Sequence, residues 1–449
     1  MKLTIVGGGG FRVPLVHAAL LADDLIDEVA LLDVDPNRLA VINRVLTAQG
    51  GPKSRLRHTL HTDPATALAG SDLVFSALRS GGVEGRVLDE RIAAEHGVIG
   101  QETVGAGGVS YALRSIPASL ELARTVRAVA PRAWLINFTN PAGMVTEALA
   151  AVHARVVGIC DSPIALARRA AAALDLDPSD TVPDYVGLNH LGWLTALRCG
   201  GVDRLPELIA DPARLARFEE GRLFGPELIA DLGALPNEYL HWFYFRREAL
   251  AAGRPRPAAE PRDGSTSRGA FLAAQQRRFY ADCPADPPAA LAAWQAARLE
   301  RERTYGATNR AAAGGFERDA IDLVSGGYEG VALAIMRAVA TDRGTTLILN
   351  TPNAGRLPYL PDDAVIEAPC RVDGGGVHPL PLGSLPGHAQ GLVTTVKQVE
   401  RWTIEAATTG SARAARLALT HHPLVDSAAV ASALLAAYRT AFPQLAYLR

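Results

Sequence analysis

The chain has few of the features that mark several large classes of protein. It contains only four cysteines, Cys160, Cys199, Cys283 and Cys370, and none of them belongs to a CxxC pair. This wide spacing argues against both a disulfide framework and a zinc ribbon, and it fits a reducing cytosol. Methionine is rare too, with three residues, and the abundance of alanine, arginine and leucine is typical of a bias in genome base composition.

Long hydrophobic runs and a strong net charge are missing as well. No run of about 18 apolar residues occurs, and the chain begins MKLTIVGGGG, without the cationic segment and long apolar stretch of a signal peptide. The formal net charge of −2 gives no overall attraction to nucleic acid or to an anionic membrane. With 48% hydrophobic and 20% charged residues, the composition is that of a soluble globular protein. We therefore expect a cytoplasmic protein with no nucleic-acid or membrane partner.

The N-terminal part alternates short apolar runs with alanine-rich helical stretches. Leu3–Val6 predicts a strand, Val13–Leu25 a helix and Val29–Val34 a second strand, which together make a βαβ unit. Further strands are predicted at Leu73–Leu78, Trp134–Phe138 and Arg155–Ile159. This alternation predicts an α/β fold in which residues 1–185 form a Rossmann-like, doubly wound domain of the lactate/malate dehydrogenase type.

Beyond this region the pattern changes to longer helical segments. A Pro/Arg-rich stretch from Gly253 to Gly264 predicts a surface loop or a disordered lid. An amphipathic helix is predicted from Gly326 to Thr341, and extended segments at Thr345–Asn350, Ala364–Pro369 and Gly391–Thr395. We expect residues 186–449 to form a second, mixed α/β domain that carries catalytic, substrate-binding and oligomerisation functions.

Glycines crowd the turn after the first predicted strand. The turn consists of Gly7, Gly8, Gly9 and Gly10. It would let the backbone approach a pyrophosphate, whose charge the N-terminus of the next helix stabilises. A purely structural turn stays open, because Arg12 occupies the place of the third glycine of a strict GxGxxG motif. Asp33, at the end of the second strand, can accept both ribose hydroxyls and would repel a 2′-phosphate, which favours NAD over NADP.

Two short polar clusters follow, Cys160-Asp161 after a predicted strand and Asn189-His190 about thirty residues further on. A thiolate and an imidazole near the nicotinamide end of a dinucleotide site indicate a metal that holds a hydroxylated substrate. A buried free cysteine or a lone histidine is also common in a protein core. The neighbouring asparagine and aspartate favour the ligand interpretation.

Longer motifs carry a resemblance to a known family. In chain order they are VGGGG with LLDVDPNR, DERIAAEHGVIGQETVGAGGVSYALRSIP, NFTNPAGMVTEAL, GICDSP, YVGLNHLGWL, LPNEYLHWFY, GGYEGVALAIMRA and LNTPNAGRLPYLPDDAVIEAPCRV. With these motifs the chain closely resembles glycoside hydrolase family 4, the NAD- and metal-dependent glycosidases, over nearly its whole length. Within that family it is most similar to the 6-phospho-β-glucosidase branch.

The resemblance implies a role for each clustered residue. Cys160 and His190 would bind a divalent cation, usually manganese, which also chelates the 2- and 3-hydroxyls of the substrate. The family's tyrosine base matches Tyr239 in PNEYL, and its phosphate-recognising arginines match Arg86 and Arg268.

Three asparagines also fall within these motifs. Asn140 and Asn189 match asparagines that contact the substrate, and we expect Asn137 to lie at the cofactor.

The implied reaction is hydrolysis of 6-phospho-β-glucosides such as cellobiose 6-phosphate. It proceeds by C3 oxidation with NAD, C2 deprotonation by Tyr239, elimination of the C1 substituent, water addition and re-reduction. Asp161 would protonate the leaving oxygen and then help to activate the water. Many β-specific members carry asparagine after the metal cysteine, whereas aspartate is typical of the α-specific phospho-glucosidases, so the anomeric preference stays open.

Alternatives remain for the residues and for the function. Tyr239 would otherwise pack within the aromatic run LHWFYF, Arg86 and Arg268 would form ordinary ion pairs, and Arg79 is a weaker phosphate candidate. The substrate would otherwise be an α-6-phosphoglucoside or an unphosphorylated hexoside. Other classes are a malate- or lactate-like dehydrogenase and a non-catalytic regulator that binds NAD and a phosphosugar. We expect a small phosphorylated disaccharide or glycoside as partner, and a homodimer or homotetramer.

Overall fold

The computed structural model describes residues 1–52, 54–252, 267–317 and 327–449. The predicted loop Gly253–Gly264 lies outside the described residues, and so does Gly326 at the start of the predicted helix. No helix in the described ranges is long and apolar enough to cross a lipid bilayer.

The strands of the described residues belong to one sheet. They are β1 Lys2–Val6, β2 Glu28–Leu32, β3 Arg57–His61, β4 Leu73–Ser76, β5 Trp134–Asn137, β6 Val156–Gly158, β7 Thr181–Leu188, β8 Leu191–Cys199, β9 Val202–Asp203, β10 Leu235–Pro236, β11 Thr345–Pro352, β12 Val365–Asp373 and β13 Gly376–Pro379.

Helices cover this sheet and join its strands. The α-helices are α1 Val13–Leu21, α2 Pro36–Gly50, α3 Pro64–Leu68, α4 Gly82–Glu95, α5 Gly105–Val129, α6 Ala142–Ala150, α7 Ser162–Ala173, α8 Leu205–Ile209, α9 Pro212–Leu215, α10 Glu219–Phe224, α11 Pro226–Leu232, α12 His241–Tyr244, α13 Arg246–Ala252, α14 Arg268–Asp282, α15 Pro287–Arg303, α16 Ala307–Ala312, α17 Tyr328–Thr341, α18 Gly387–Thr409, α19 Ala412–His421 and α20 Ala428–Ala441. Short 3-10 turns occur at Pro178–Asp180, Glu238–Leu240 and Pro443–Leu445.

The first six strands are parallel and lie in the order β3-β2-β1-β4-β5-β6. This is the strand order of the doubly wound dinucleotide-binding fold, so the predicted fold class is confirmed. Leu3 of β1 pairs with Val29 of β2 on one side and with Leu73 of β4 on the other. The strand order reverses there, and ligands of such sheets bind in the crevice beyond the carboxyl ends of these strands.

Strands of the C-terminal part extend the same sheet beyond β6. Asn350 of β11 pairs with Gly158 of β6, and Glu367 of β12 pairs with Gly187 of β7, both in antiparallel fashion. The hairpin β7–β8 therefore lies on the opposite side of β6 from β1. Strands from both sides of residue 185 share this sheet. The division of the chain into two domains at that residue stays a prediction.

The extended segment predicted at Gly391–Thr395 is wrong, since these residues lie inside α18. Its valine and two threonines have high strand propensity, but the buried residues Ala389, Val393 and Val396 recur every three or four positions. Burial of this helical stripe in the core outweighs the local propensity of the β-branched side chains.

Candidate active site

The glycine turn lies at the carboxyl end of β1, where the strand order reverses. The backbone N–H groups of Gly7 and Gly8 both donate to the Leu32 carbonyl, at 2.9 and 2.8 Å. A Cβ on Gly7, whose φ is +84°, would lie 2.7 Å from the carbonyl oxygen of Ala77. The turn therefore packs backbone against backbone, which requires glycine, and it leads directly into the N-terminus of α1.

Asp33 lies beside this turn, as the sequence predicts. One carboxylate oxygen accepts from the Gly9 N–H at 3.0 Å, and the other accepts from the Asp35 N–H at 3.1 Å. Asp35 in turn caps α2, because its side chain accepts from the N–H groups of Asn37 and Arg38. The carboxylate is thus fixed next to the glycine turn, and its contact with a ribose stays a prediction.

The sequence did not reveal three further side chains at this end of the site. Val34 follows Asp33 and is 92% exposed, which is unusual for an apolar residue of this size. Tyr280 of α14 donates its hydroxyl to the Gly9 carbonyl at 2.6 Å, and the guanidinium of Arg38 lies 4.3 Å from the Tyr280 ring centroid. Only Val34 had a local signal, as an apolar residue between two aspartates.

Asn189 and His190 form the two-residue turn of the hairpin β7–β8. Leu188 pairs with Leu191 directly across this turn. His190 has φ +63°, in the left-handed region that non-glycine residues rarely adopt, and it is only 4% exposed. Such a conformation costs about 1–3 kcal/mol and occurs in tight hairpin turns and at functional sites.

The ring of Tyr239 lies flat on the imidazole of His190. Their centroids are 3.7 Å apart and their planes differ by 7°. Asn237 positions Tyr239, because its Oδ1 accepts from the Tyr239 N–H at 3.1 Å. Its Nδ2 donates to the Ser162 hydroxyl at 3.0 Å, and Ser162 Oγ lies 3.4 Å from the sulfur of Cys160. These contacts connect Cys160, His190 and Tyr239, and their roles as metal ligands and base stay predictions.

Asp161 is the residue that precedes α7, directly after Cys160. Its side chain is 41% exposed, and its Oδ2 lies 3.9 Å from Nη1 of Arg12. Arg12 immediately precedes α1, so this contact joins the glycine turn to the cysteine-histidine cluster. The carboxylate is therefore accessible to a ligand held between the two.

Burial keeps the groups of this cluster uncharged. It raises the pKa of the Cys160 thiol well above its usual value, with further contributions from the carboxylates of Glu367 and Asp161. It also raises the pKa of the Tyr239 phenol and lowers the pKa of His190 to about 3, so the imidazole is neutral. A bound cation would reverse the penalty on the thiolate and the phenolate.

The donor set fits a divalent cation that takes part of its coordination from the substrate. Nδ1 of His190 is buried and has no hydrogen-bond partner in the described part of the chain. In the same part, no three His, Cys, Asp or Glu side chains are grouped so as to hold a metal ion. Cys160 and His190 would therefore supply two ligands and leave the other positions open.

Tyr239 has hydrogen-bonding neighbours that the sequence did not predict. Its hydroxyl lies 3.2 Å from that of Tyr305, which also donates to Glu238 Oε1 at 3.0 Å. Burial first, and then the nearby carboxylates of Glu220 and Glu219, raise the pKa of Glu238 to about 8. Hydroxyl groups thus connect Tyr239 through Tyr305 to the half-buried carboxyl group of Glu238.

Glu367 is a second site residue that sequence reasoning missed. Its Oε1 accepts from the amide nitrogens of Asn189 and Asn350, at 3.1 and 3.0 Å. Burial raises the pKa of Glu367 to about 7. Because Asn189 donates to Glu367, its amide oxygen is the atom left for a ligand.

The other two predicted asparagines lie between the end of β5 and the start of α6. Asn137 Nδ2 donates to the Thr139 carbonyl at 3.2 Å and to the Thr146 hydroxyl at 3.1 Å, so its amide holds this loop together. Asn140 is half-buried and precedes Pro141. The contact of Asn137 with the cofactor and that of Asn140 with the substrate stay predictions.

The two predicted phosphate arginines have different surroundings. Arg86 is held by Glu90 at 2.7 Å and by Glu102 at 2.6 Å. Arg268 donates instead to the Thr304 hydroxyl at 2.6 Å and to the Arg301 carbonyl at 2.9 Å. The charge of Arg86 is therefore already balanced, whereas the two acceptors of Arg268 in the described part of the chain are neutral.

Two family models match most of the chain. The model of family 4 glycosyl hydrolases matches residues 2–176, and the model of the family 4 glycosyl hydrolase C-terminal domain matches residues 185–425. The chain belongs to glycosyl hydrolase family 4, which confirms the resemblance seen in its motifs. It is thus a glycoside hydrolase.

Relatives named for either anomer are similar over nearly the whole chain. A probable 6-phospho-beta-glucosidase of Bacillus subtilis is 30% identical, and the match covers 97% of this chain and 95% of the relative. The 6-phospho-alpha-glucosidase of Leptotrichia buccalis is 28% identical, with 97% and 96% covered.

Solved structures give the same picture. The 6-phospho-beta-glucosidase of Thermotoga maritima with manganese, NAD+ and glucose-6-phosphate has a TM-score of 0.80 and 27% identity, with 100% of both chains covered. A 6-phospho-alpha-glucosidase from gut microorganisms, in complex with NAD and Mn2+, has a TM-score of 0.80 and 25% identity, with 98% of this chain and 97% of that one covered.

Proposed function

We propose that the chain is a phospho-glucosidase that hydrolyses 6-phospho-β-glucosides such as cellobiose 6-phosphate, with NAD and a divalent cation, manganese, as cofactors. The observation that carries this proposal is the tyrosine stacked on a buried histidine, beside a buried cysteine. That cluster lies beside a glycine turn in which the Gly9 N–H donates to the carboxylate of Asp33. The relatives that are named for phospho-glucosidases, and solved with NAD and manganese, support it.

Each cofactor has residues that would hold it. The glycine turn and Asp33 would bind NAD, and Cys160 and His190 would bind the cation. When bound, NAD accepts and returns the C3 hydride, and the cation acidifies the sugar hydroxyls and the C2 proton.

The side chains of the protein then carry out the proton transfers. Tyr239 removes the C2 proton, since its hydroxyl lies at the edge of the stack with His190 and next to Tyr305. Asp161 protonates the leaving oxygen at C1, because its partly exposed carboxyl group follows Cys160 directly. The amide oxygen of Asn189 orients a sugar hydroxyl.

One observation favours an α-6-phosphoglucoside as the alternative substrate. Asp161 occupies the position after the cysteine, and relatives named for the α-anomer are similar over 97% of the chain. Aryl 6-phospho-β- and 6-phospho-α-glucosides, each incubated with NAD, Mn2+ and a thiol reductant, separate the two. Faster aglycone release from the β-anomer supports the proposal. Turnover of the α-anomer alone would make the α-6-phosphoglucoside the substrate instead.

Removal of the cation is expected to abolish turnover. Excess chelator should leave less than about 1% of the aglycone release, because the thiolate, the phenolate and the sugar diol all lose their counter-charge. Addition of Mn2+ in excess of the chelator should restore the rate. Undiminished turnover in chelator, measured on protein shown to be free of metal, contradicts the proposal.

Replacing Asp33 with asparagine is expected to weaken NAD binding about tenfold and to reduce discrimination against NADP. The asparagine keeps one acceptor but loses the charge that holds two ribose hydroxyls and repels a 2′-phosphate. The measurement is the dissociation constant of each dinucleotide by fluorescence titration. An unchanged ratio of the two constants would show that Asp33 does not face the ribose.

A further inference from the structure

Hydrogen bonds connect the hydroxyl of Tyr239 to a carboxyl group on the same 3-10 turn. Tyr305, between α15 and α16, donates its hydroxyl to Glu238 Oε1 at 3.0 Å, and its oxygen lies 3.2 Å from that of Tyr239. Because the ionised carboxylate holds the Tyr305 proton, Tyr239 is then the donor in the contact between the two hydroxyls. A lone pair of the Tyr239 oxygen remains to accept a proton from a substrate.

Glu238 faces charged groups from two helices. Arg169 of α7 lies 3.4 Å from Glu238 Oε2, and the same guanidinium forms an ion pair with Glu220 of α10. Glu219, also of α10, is close enough to repel Glu238. Arg169 is therefore shared between two carboxylates, and its charge compensates each of them only in part.

These surroundings suit a carboxyl group that gains and loses a proton during turnover. Burial raises the pKa of Glu238 to about 8, although Arg169 attracts the ionised form. Repulsion by Glu220 and Glu219 raises this pKa further, and the hydrogen bond from Tyr305 lowers it. A group whose pKa lies near the working pH both accepts and returns a proton readily. The side chain is 13% exposed, so water reaches the carboxyl group.

We propose that Glu238 is the proton acceptor behind the base Tyr239 and that Tyr305 relays the proton between them. This inference rests on the proposed function, because it concerns the proton that is removed from C2 of the sugar. Glu238 and Tyr305 act through Tyr239 rather than on the sugar, so both are positioning residues for the base.

The relay conserves protons and electrons. C3 of the sugar is a ketone at this stage, as the proposed function requires, and the electron pair of the C2–H bond passes into the enolate. The C2 proton joins the Tyr239 oxygen, the Tyr239 proton passes to Tyr305, and the Tyr305 proton passes to Glu238, which becomes a neutral acid. After water has added at C1, the same transfers run in reverse and return a proton to C2. Exchange at Glu238 lets this proton equilibrate with solvent.

The test measures the pH dependence of kcat. Aglycone release from the aryl 6-phospho-glucoside of the active anomer is followed between about pH 6 and about pH 9, at saturating substrate, NAD and Mn2+. The variants are Glu238→Gln, Glu238→Asp, Tyr305→Phe and the double variant of Glu238→Gln with Tyr305→Phe. The matched control is Glu227→Gln, an exposed residue in the first turn of α11. Thermal unfolding and the dissociation constant of NAD show that each variant is folded.

In the unmodified protein kcat should rise with pH and level off above about pH 8, because only ionised Glu238 accepts a proton. Glu238→Gln should lower kcat at least about tenfold above that pH and remove the rise, since an amide does not ionise. Tyr305→Phe should do the same, and the double variant should lose no more than either single variant, because both changes interrupt one path. Glu238→Asp should keep the rise, and Glu227→Gln should behave as the unmodified protein.

Three results would overturn the inference. They are a kcat of the unmodified protein that is constant over this pH range, a rise with pH that persists in Glu238→Gln, and losses that multiply in the double variant. If Glu238→Gln does not fold, Tyr305→Phe tests the same path with every charge in place. Release of aglycone from neither anomer by the unmodified protein would mean instead that the proposed function fails.

Discussion

Replacing Tyr239 with phenylalanine is expected to lower kcat roughly 10²- to 10⁴-fold, the range typical for loss of a positioned general base. The phenyl ring still stacks on His190, with the centroid spacing of 3.7 Å that the tyrosine has, so only the hydroxyl is lost. The melting temperature and the dissociation constant of NAD should hardly change. The measurement is aglycone release from an aryl 6-phospho-glucoside at saturating substrate.

Two matched variants separate a catalytic role from aromatic packing. Tyr244→Phe removes a hydroxyl from the same aromatic segment, where it lies 3.3 Å from the Trp193 indole nitrogen, and should leave kcat nearly unchanged. Tyr305→Phe removes the neighbour of the Tyr239 hydroxyl and should cost about tenfold, as expected for one hydrogen bond. If Tyr239→Phe retains kcat within about threefold, which is less than about 1 kcal/mol, another group is the base.

Replacing His190 with asparagine is expected to weaken Mn2+ binding more than about 100-fold and to abolish turnover. Loss of a residue that only hydrogen-bonds to a metal ligand lowers metal affinity about 10- to 100-fold. Loss of the ligand itself lowers metal affinity further. Asparagine is chosen because it tolerates the left-handed backbone, here φ +63°, better than alanine does. The hairpin should therefore persist, and Mn2+ affinity is measured by calorimetry.

Cysteine variants provide the matched pair for this experiment. Cys160→Ser should weaken Mn2+ binding to a similar degree, because an alcohol does not ionise at the site as a thiol does. Cys199→Ser, at the end of β8 and away from the cluster, should bind the ion normally. Normal Mn2+ affinity in His190→Asn would place the cation elsewhere.

The parts of the fold that the sequence revealed are those set by local pattern. Apolar runs alternating with helical stretches predicted the parallel sheet, because both faces of such strands are buried and the crossovers are helices. The glycine turn and Asp33 were predicted for the same reason, since they follow consecutive strands directly. The fold class is confirmed, and the Gly9 N–H donates to Asp33 at 3.0 Å, while the role of both in binding NAD stays a prediction.

The parts that the sequence did not reveal depend on contacts between distant segments. Tyr280 contacts the Gly9 carbonyl although 271 positions separate them in the sequence, and Tyr305 contacts Tyr239 although 66 positions separate them. No local sequence pattern links either pair. The ion pairs of Arg86 likewise depend on how α4 packs against the loop before α5. The strand propensity of Gly391–Thr395 predicted an extended segment, but these residues form a helix because one face of it is buried in the core.

The most direct test of the mechanism is the fate of the C2 hydrogen. A 6-phospho-glucoside of the active anomer is hydrolysed in D2O with NAD and Mn2+, and the glucose 6-phosphate formed is examined by proton NMR and mass spectrometry. Deprotonation by Tyr239 followed by elimination predicts deuterium at C2 of the product, with none in product formed in H2O. Complete hydrolysis in D2O with the C2 hydrogen retained would instead show direct displacement at C1 and contradict the role assigned to Tyr239 and to the Cys160–His190 cation site.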